Sequence, residues 1–338
     1  YTFAQAYGYA PAGVWTAPYA LRLAGVPGRG GIVTALGWQV VLAAAPRSDG
    51  ILRVGSLNRP GDALEVLLDA HGSTRRDAPT WAAPIIAAAY TLSHTSPPGS
   101  GADMILHADL PEAAGLAPSA PLACATAQAW TALHGPNLPV GALDALLRNA
   151  VGPAPDTADA EALRSACFHG GDERALAVGR TGPTGELPLE LAAAGLRAML
   201  VIPRDRGTPH TSMASVAEAI RGGRLESERA HRMEAYLRER ELPRALALLT
   251  ASHLSRVPGY GAAWAEADPT VDAVKRAGAL GARLAGSDPN AAVIAFVHTS
   301  LLTTTRTSVT AAFHTRGRLT PRFLTTTGGK PASRAGEL

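Results

Sequence analysis

Three acids crowd one short stretch of this chain, Asp156, Asp159 and Glu161. A carboxylate in such a place can take a proton from an attacking hydroxyl or steady a developing charge. The same spacing also writes a helix start, with Asp156 as N-cap and Asp159 as a first-turn acid opposing the helix dipole. Both readings stand for Asp159. The other proton-transfer candidates are ten histidines, and none falls in HxxxH, HxH or Ser/His/Asp spacing. His253 reads as structural, and His169, in Phe168–His169–Gly170–Gly171, is carried by a loop. Cys124 and Cys167 lie in apolar, helix-like surroundings without CxxC or Cys/His ligand spacing. They read as small buried hydrophobes in a reducing compartment, and no structural metal site is expected. A second stretch of interest is Pro111–Glu112–Ala113–Ala114–Gly115–Leu116–Ala117–Pro118–Ser119–Ala120. Taken as plain residues, Gly115 is a turn glycine and Ser119 the N-cap of the helix that follows.

The elements that must position these residues are legible in outline. Gly31–Ala45 reads as a strand leading through a Pro-Arg-Ser-Asp-Gly turn to a partner at Ile51–Val54. Helical spacing over Thr80–Leu92 ends in a Ser/Pro/Gly-rich loop, and Met104–Leu106 is a short strand. Ser119–Leu133 is a long, Ala-rich, buried helix, and Leu143–Leu147 is another. Beyond a strand at Leu196–Pro203, charged amphipathic helices are expected at Ser212–Arg221 and Leu225–Leu249. Helix (Thr270–Leu280), strand (Ala292–Val297), helix (Thr304–Phe313) and strand (Phe323–Thr327) follow. Elements grouped this way, without strict βαβ alternation, predict an α+β chain in two lobes, residues 1–186 and 187–338.

Composition excludes several classes. With 338 residues, 46% hydrophobic, 17% charged and a mean hydropathy of +0.05, the chain reads as an ordinary globular protein. Its Ala/Arg/Gly/Pro-rich usage is actinomycete-like. A net charge of +3 without a basic tract argues against nucleic acid as a partner. Apolar runs such as Ile85–Tyr90 are far shorter than the roughly 20 residues of a membrane span, and no signal-peptide pattern opens the chain. No membrane partner and a cytoplasmic location are expected.

Gly13–Val14–Trp15–Thr16–Ala17–Pro18 resembles the opening G-V-W-x-A-P of galactokinases. Further blocks follow in order along nearly the whole chain. Gly101–Ala125 is similar to the family's strand and phosphate-loop region. Ala251–Ser252–His253, with Ser255, Tyr260, Glu266 and Asp268, resembles A-S-H-x-S…Y…E-x-D, and Ala277–Ala285 resembles A-G-A-L-G-A-R-M-T. The resemblance implies the fold of the GHMP sugar kinases: an N-terminal lobe like ribosomal protein S5 domain 2, a ferredoxin-like C-terminal lobe, and a cleft between them.

Within those blocks the functional positions differ. In register with Ala17–Pro18, the family's catalytic-site arginine falls on Ala20 and its asparagine on Arg22, while the sugar-binding Glu and His become Val26 and Pro27 and the Asp falls on Arg29 or in a gap. The phosphate loop P-x-G-x-G-L-S-S-S-A retains Gly115 and Ser119 but has Ala113, Pro118 and a charged Glu112. The third motif, G-G-G-F-G-G-C, falls on Gly286–Ala292 and keeps one glycine. By resemblance to V-G-x-P-T-G-x-M-D, Asp159 takes the place of the aspartate that serves the attacking hydroxyl.

The expectation is therefore a pseudokinase that binds neither ATP nor Mg²⁺ and uses no cofactor. Its small-molecule ligand would be an anion rather than a neutral hexose, met in a cleft by Arg22, Arg29, Ser119, Gly115 and Tyr260. An alternative is a repurposed enzyme with Asp159 as general base for ATP-independent chemistry, and a third reading is a divergent active sugar kinase. The arginines pointing simply to solvent is the competing structural explanation.

Overall fold

The computed structural model describes residues 2–68, 79–148, 159–204, 216–254, 266–286 and 291–336. Its first sheet is built on a long antiparallel hairpin, β1 (Gly13–Val26) and β2 (Gly30–Arg47). From Ala17 to Val26 every residue of β1 is buried, as in a strand covered on both faces. To this hairpin are added β3 (Ile51–Ser56), β4 (Arg59–Leu67), β5 (Gly101–Ala108), β6 (Arg174–Gly179), β7 (Gly182–Pro188) and the late β12 (Ser333–Arg334). The order is β12–β1–β2–β5–β3–β4, with β6 and β7 joined through β2 and only β3–β5 running parallel. A short helix α1 (Thr2–Tyr7) precedes it, and α2 (Ala83–Ser93), α3 (Ser119–His134), α4 (Val140–Arg148) and α5 (Ala160–His169) are associated with it. The small side chains of Ala120, Ala125, Ala127 and Ala129 are buried along α3, which lets that helix approach β1 closely.

The second sheet is four-stranded and antiparallel, in the order β11–β8–β10–β9, from β8 (Leu196–Ile202), β9 (Gly281–Leu284), β10 (Val293–His298) and β11 (Arg322–Thr326). The period-2 alternation of β8 separates two cores. Leu196, Ala198, Leu200 and Ile202 join the main core with α6 (Val216–Arg238) and α7 (Leu242–Leu254). Met199 and Val201 face the other side, against α8 (Ala267–Arg276) and α9 (Leu302–His314). The main core also contains Trp15, Leu36 and Trp130, so it is continuous from one sheet to the other. The α+β class expected from the grouped elements is what is observed, and the sheet changes over residues 189–195.

Two breaks differ from expectation, and the first is that α6 runs on through residues 222–224, joining the helices expected at Ser212–Arg221 and from Leu225. The helix expected over Leu225–Leu249 is two helices, broken at Arg240, which has φ 59°, before α7 begins at Leu242. Pro243 sits in the first turn of α7, where its missing N–H costs nothing; inside a continuous helix it would clash with the preceding turn. The start of the helix expected at Ser212 lies outside the described residues.

Candidate functional site

Arg22 projects from β1, next to an irregularity in the hairpin register between Arg22 and Ala24. Only 6% of it is exposed. Its Nε donates to Asp159 Oδ1 at 2.5 Å, its Nη2 lies against the same oxygen as an ion pair, and its Nη1 donates to the Gly30 carbonyl at 3.0 Å. Gly31, at φ +151°, makes room for this: a Cβ there would overlap the Arg22 guanidinium and the Ala24 carbonyl. Asp159 occupies the N-cap position of α5, yet its carboxylate makes no capping bond and is spent on Arg22. Asp159 thus holds an N-cap position where a first-turn one was expected, with its side chain engaged elsewhere, and Asp156, the expected N-cap, lies outside the described residues. Arg22 and Asp159, 137 residues apart, are thus one charged pair, with the carboxylate side chain 24% exposed.

Beside this pair lies Arg283 on β9, which sequence reasoning left unnamed although it stands inside the Ala277–Ala285 block. Its Nη1 donates to the Leu23 carbonyl at 3.4 Å and its Nε to Leu284 at 3.2 Å. Burial pushes the pKa of this guanidinium down; Glu226 and Asp159 act to raise it and Arg22 to lower it. Glu226, on α6, is paired with Arg229.

The 111–120 stretch forms a single 3-10 turn at Glu112–Ala114, reversed by Gly115 at φ +68°, and then α3. Ser119 is half-buried at the first position of α3, and Pro118 holds the N-cap position in its place. The third-motif segment packs directly on this turn. Ala292 donates to the Ala114 carbonyl at 3.1 Å, and a Cβ on Gly115 would overlap Ala291. Glu112 is paired with Arg59, whose Nε donates to it at 2.7 Å.

The remaining expected contacts are placed elsewhere. Arg29 is exposed in the three-residue turn between β1 and β2, and among the described residues its side chain makes no bond to Arg22 or Asp159. Arg22 is itself committed to Asp159 and Gly30, so the basic wall drawn from Arg22 and Arg29 does not form as expected. Val26 is buried, with Gly223 of α6 nearby, and Tyr260 lies outside the described residues. His253 is buried and bonded to Asp268 at 2.9 Å, a tie between α7 and α8.

No family model matches the sequence. A galactokinase of Streptomyces coelicolor is 28% identical over an alignment of 368 positions, spanning 95% of this chain and 93% of that protein. The structure of Lactococcus lactis galactokinase complexed with galactose superposes with a TM-score of 0.83 at 18% identity, covering 98% of this chain and 97% of the other. Methanococcus jannaschii mevalonate kinase follows at 0.64 and 14% (93% and 98% covered), and homoserine kinase from Cytophaga hutchinsonii at 0.62 and 16% (95% and 96%).

These similarities correct one expectation. Galactokinases and their structural relatives use ATP and Mg²⁺, so a chain similar to one along 95% of its length is not expected to exclude them. The physical reason lies in how such loops bind. Phosphate is held by backbone N–H groups at a glycine turn and a helix N-terminus, which side-chain changes largely leave in place. The charge of Glu112, which argued against a polyanion, is moreover met by Arg59. Nothing in these similarities supports a pseudokinase. Among the described residues no helix is long and apolar enough to cross a membrane.

Proposed function

We propose, from the premise that this chain is a galactokinase homologue with the fold of the GHMP kinases, that it is a sugar kinase acting on a hydroxyl of a small hexose-like substrate. The observation that carries this reading is the Arg22–Asp159 pair, a carboxylate fixed by a buried guanidinium at the start of α5.

The residues present fit a phosphate chain. Gly115 provides a left-handed turn stitched to Ala291–Ala292, and α3 begins with Ser119 and Ala120, whose N–H groups precede the first bond from Leu122 to Pro118. When bound there, ATP supplies the phosphoryl group and Mg²⁺ offsets its charge. Asp159 accepts the proton of the attacking hydroxyl, and Arg22 keeps that carboxylate aimed. Pro118 and Ala113 remove one donor and one glycine from the loop, so the KM for ATP is expected near the top of the usual range, about 1 mM.

The test is ADP release from Mg·ATP with galactose, other hexoses and sugar acids. Turnover with a hexose is expected, lowered about 100-fold or more by Asp159→Asn with the KM for ATP within about twofold. Absence of ADP release with every sugar would sink the reading.

A further inference from the structure

Among the described residues around Asp159, one arginine has no ion pair of its own. Arg22 is matched by Asp159 and Arg229 by Glu226. Arg283 has only two long bonds to backbone carbonyls, and among the described residues no carboxylate pairs with it. A half-buried cation whose nearby carboxylates, Glu226 and Asp159, are each already ion-paired with another arginine is unfavourable in the free protein, and an arriving anion offsets that cost.

Its position suits one class of anion. β9 ends at Leu284, and two residues further on Gly286 lies close against the Gly115 carbonyl, so Arg283 stands three residues before the contact with the 112–115 turn. On its other side it reaches the carbonyl of Leu23, the neighbour of Arg22. A planar fork of donors matches phosphate oxygens bidentately. The two carbonyl bonds, at 3.2 and 3.4 Å, stand at and beyond the long end of the usual range, so anion oxygens compete with them.

We propose that Arg283 is an anion-binding residue of this site, contacting the phosphoryl group in transfer from the second-sheet side while Asp159 engages the hydroxyl. The assignment rests on the kinase reading above and adds to it the residue that meets the phosphate.

The probe is inorganic pyrophosphate, with calorimetry and thermal melting on the full chain. Wild type is expected to bind it, Arg283→Met at least about tenfold more weakly, and Arg283→Lys, which keeps charge but not the fork, in between. The ligand-free Arg283→Met protein is expected to melt no lower than wild type, because an uncompensated charge has been removed. Three results overturn the proposal: no binding to wild type; pyrophosphate affinity of Arg283→Met within about threefold of wild type; or a ligand-free melt lowered by more than about 4 °C, including failure to fold, which would make Arg283 a structural tie to Leu23. The two readings fail separately. Arg283-dependent pyrophosphate binding without ADP release refutes the kinase and leaves the anion site, whereas full turnover by Arg283→Met refutes the anion site alone.

Discussion

Asp159 and Arg22 depend on each other unequally. Arg22 is almost fully enclosed, while the Asp159 side chain is 24% exposed, so removing the acid strands a buried cation with only the Gly30 carbonyl. Asp159→Leu is expected to destabilise the fold by about 1–3 kcal/mol, below the 3–5 typical of fully buried pairs because of that exposure. Adding Arg22→Leu should recover much of this loss without restoring activity, which urea denaturation and ADP release measure together. A second residue-scale expectation concerns pH. Burial pushes the His134 pKa down, against a smaller upward pull from its 2.9 Å contact with the Gly101 carbonyl. With the folded pKa depressed, the unfolded chain takes up the proton first as pH falls, so stability present above about 6.5 is lost below it. Denaturation midpoints from pH 7 to pH 5 should fall more steeply for wild type than for His134→Gln.

The turn at Glu112–Ala114 and the hairpin of β3 with β4 meet through the Arg59–Glu112 pair, which is solvent-accessible and worth little to stability. Its effect belongs to the phosphate turn. Without Arg59, Glu112 presents an unmatched negative charge at the turn proposed to hold phosphate. Arg59→Ala is expected to raise the KM for Mg·ATP by about 2–5-fold, an effect that shrinks in 0.5 M salt and disappears in a Glu112→Gln background. A KM unaffected by Arg59→Ala at low salt would show that the turn does not sense this pair.

At the scale of the whole molecule, the two sheets share a hydrophobic core. Phe296 on β10 is fully buried, and Leu200 on β8 lies in the same cluster as Trp15 and Trp130 of the first sheet. The two halves are therefore expected to unfold together, in one calorimetric transition. Phe296→Ala should cost about 3–5 kcal/mol and lower that single transition without splitting it. Two transitions, with only one moved by Phe296→Ala, would show that the halves are independent.

Local pattern alone determined the α+β grouping, the Ala-rich α3, the strand at Leu196–Ile202 and the order of galactokinase-like blocks. Each is written in neighbouring residues, as helical spacing, alternation or motif. Asp159 was visible as an acid near a helix start, and Arg22 as an arginine in an asparagine's place. Their pairing was not, because it joins residues 137 apart through a side-chain reach that no spacing encodes. A faint signal existed in Gly30–Gly31, which the Arg22 guanidinium requires, but a glycine pair after a turn has many other uses. Likewise Glu112 and Pro118 looked like the ruin of a phosphate loop when read singly. Whether a backbone turn survives depends on what packs behind it, here Ala291 and Ala292, and whether a charge repels depends on its partner, here Arg59. Only the tertiary structure decides those, since both contacts are made across the fold, at distances the linear chain does not record.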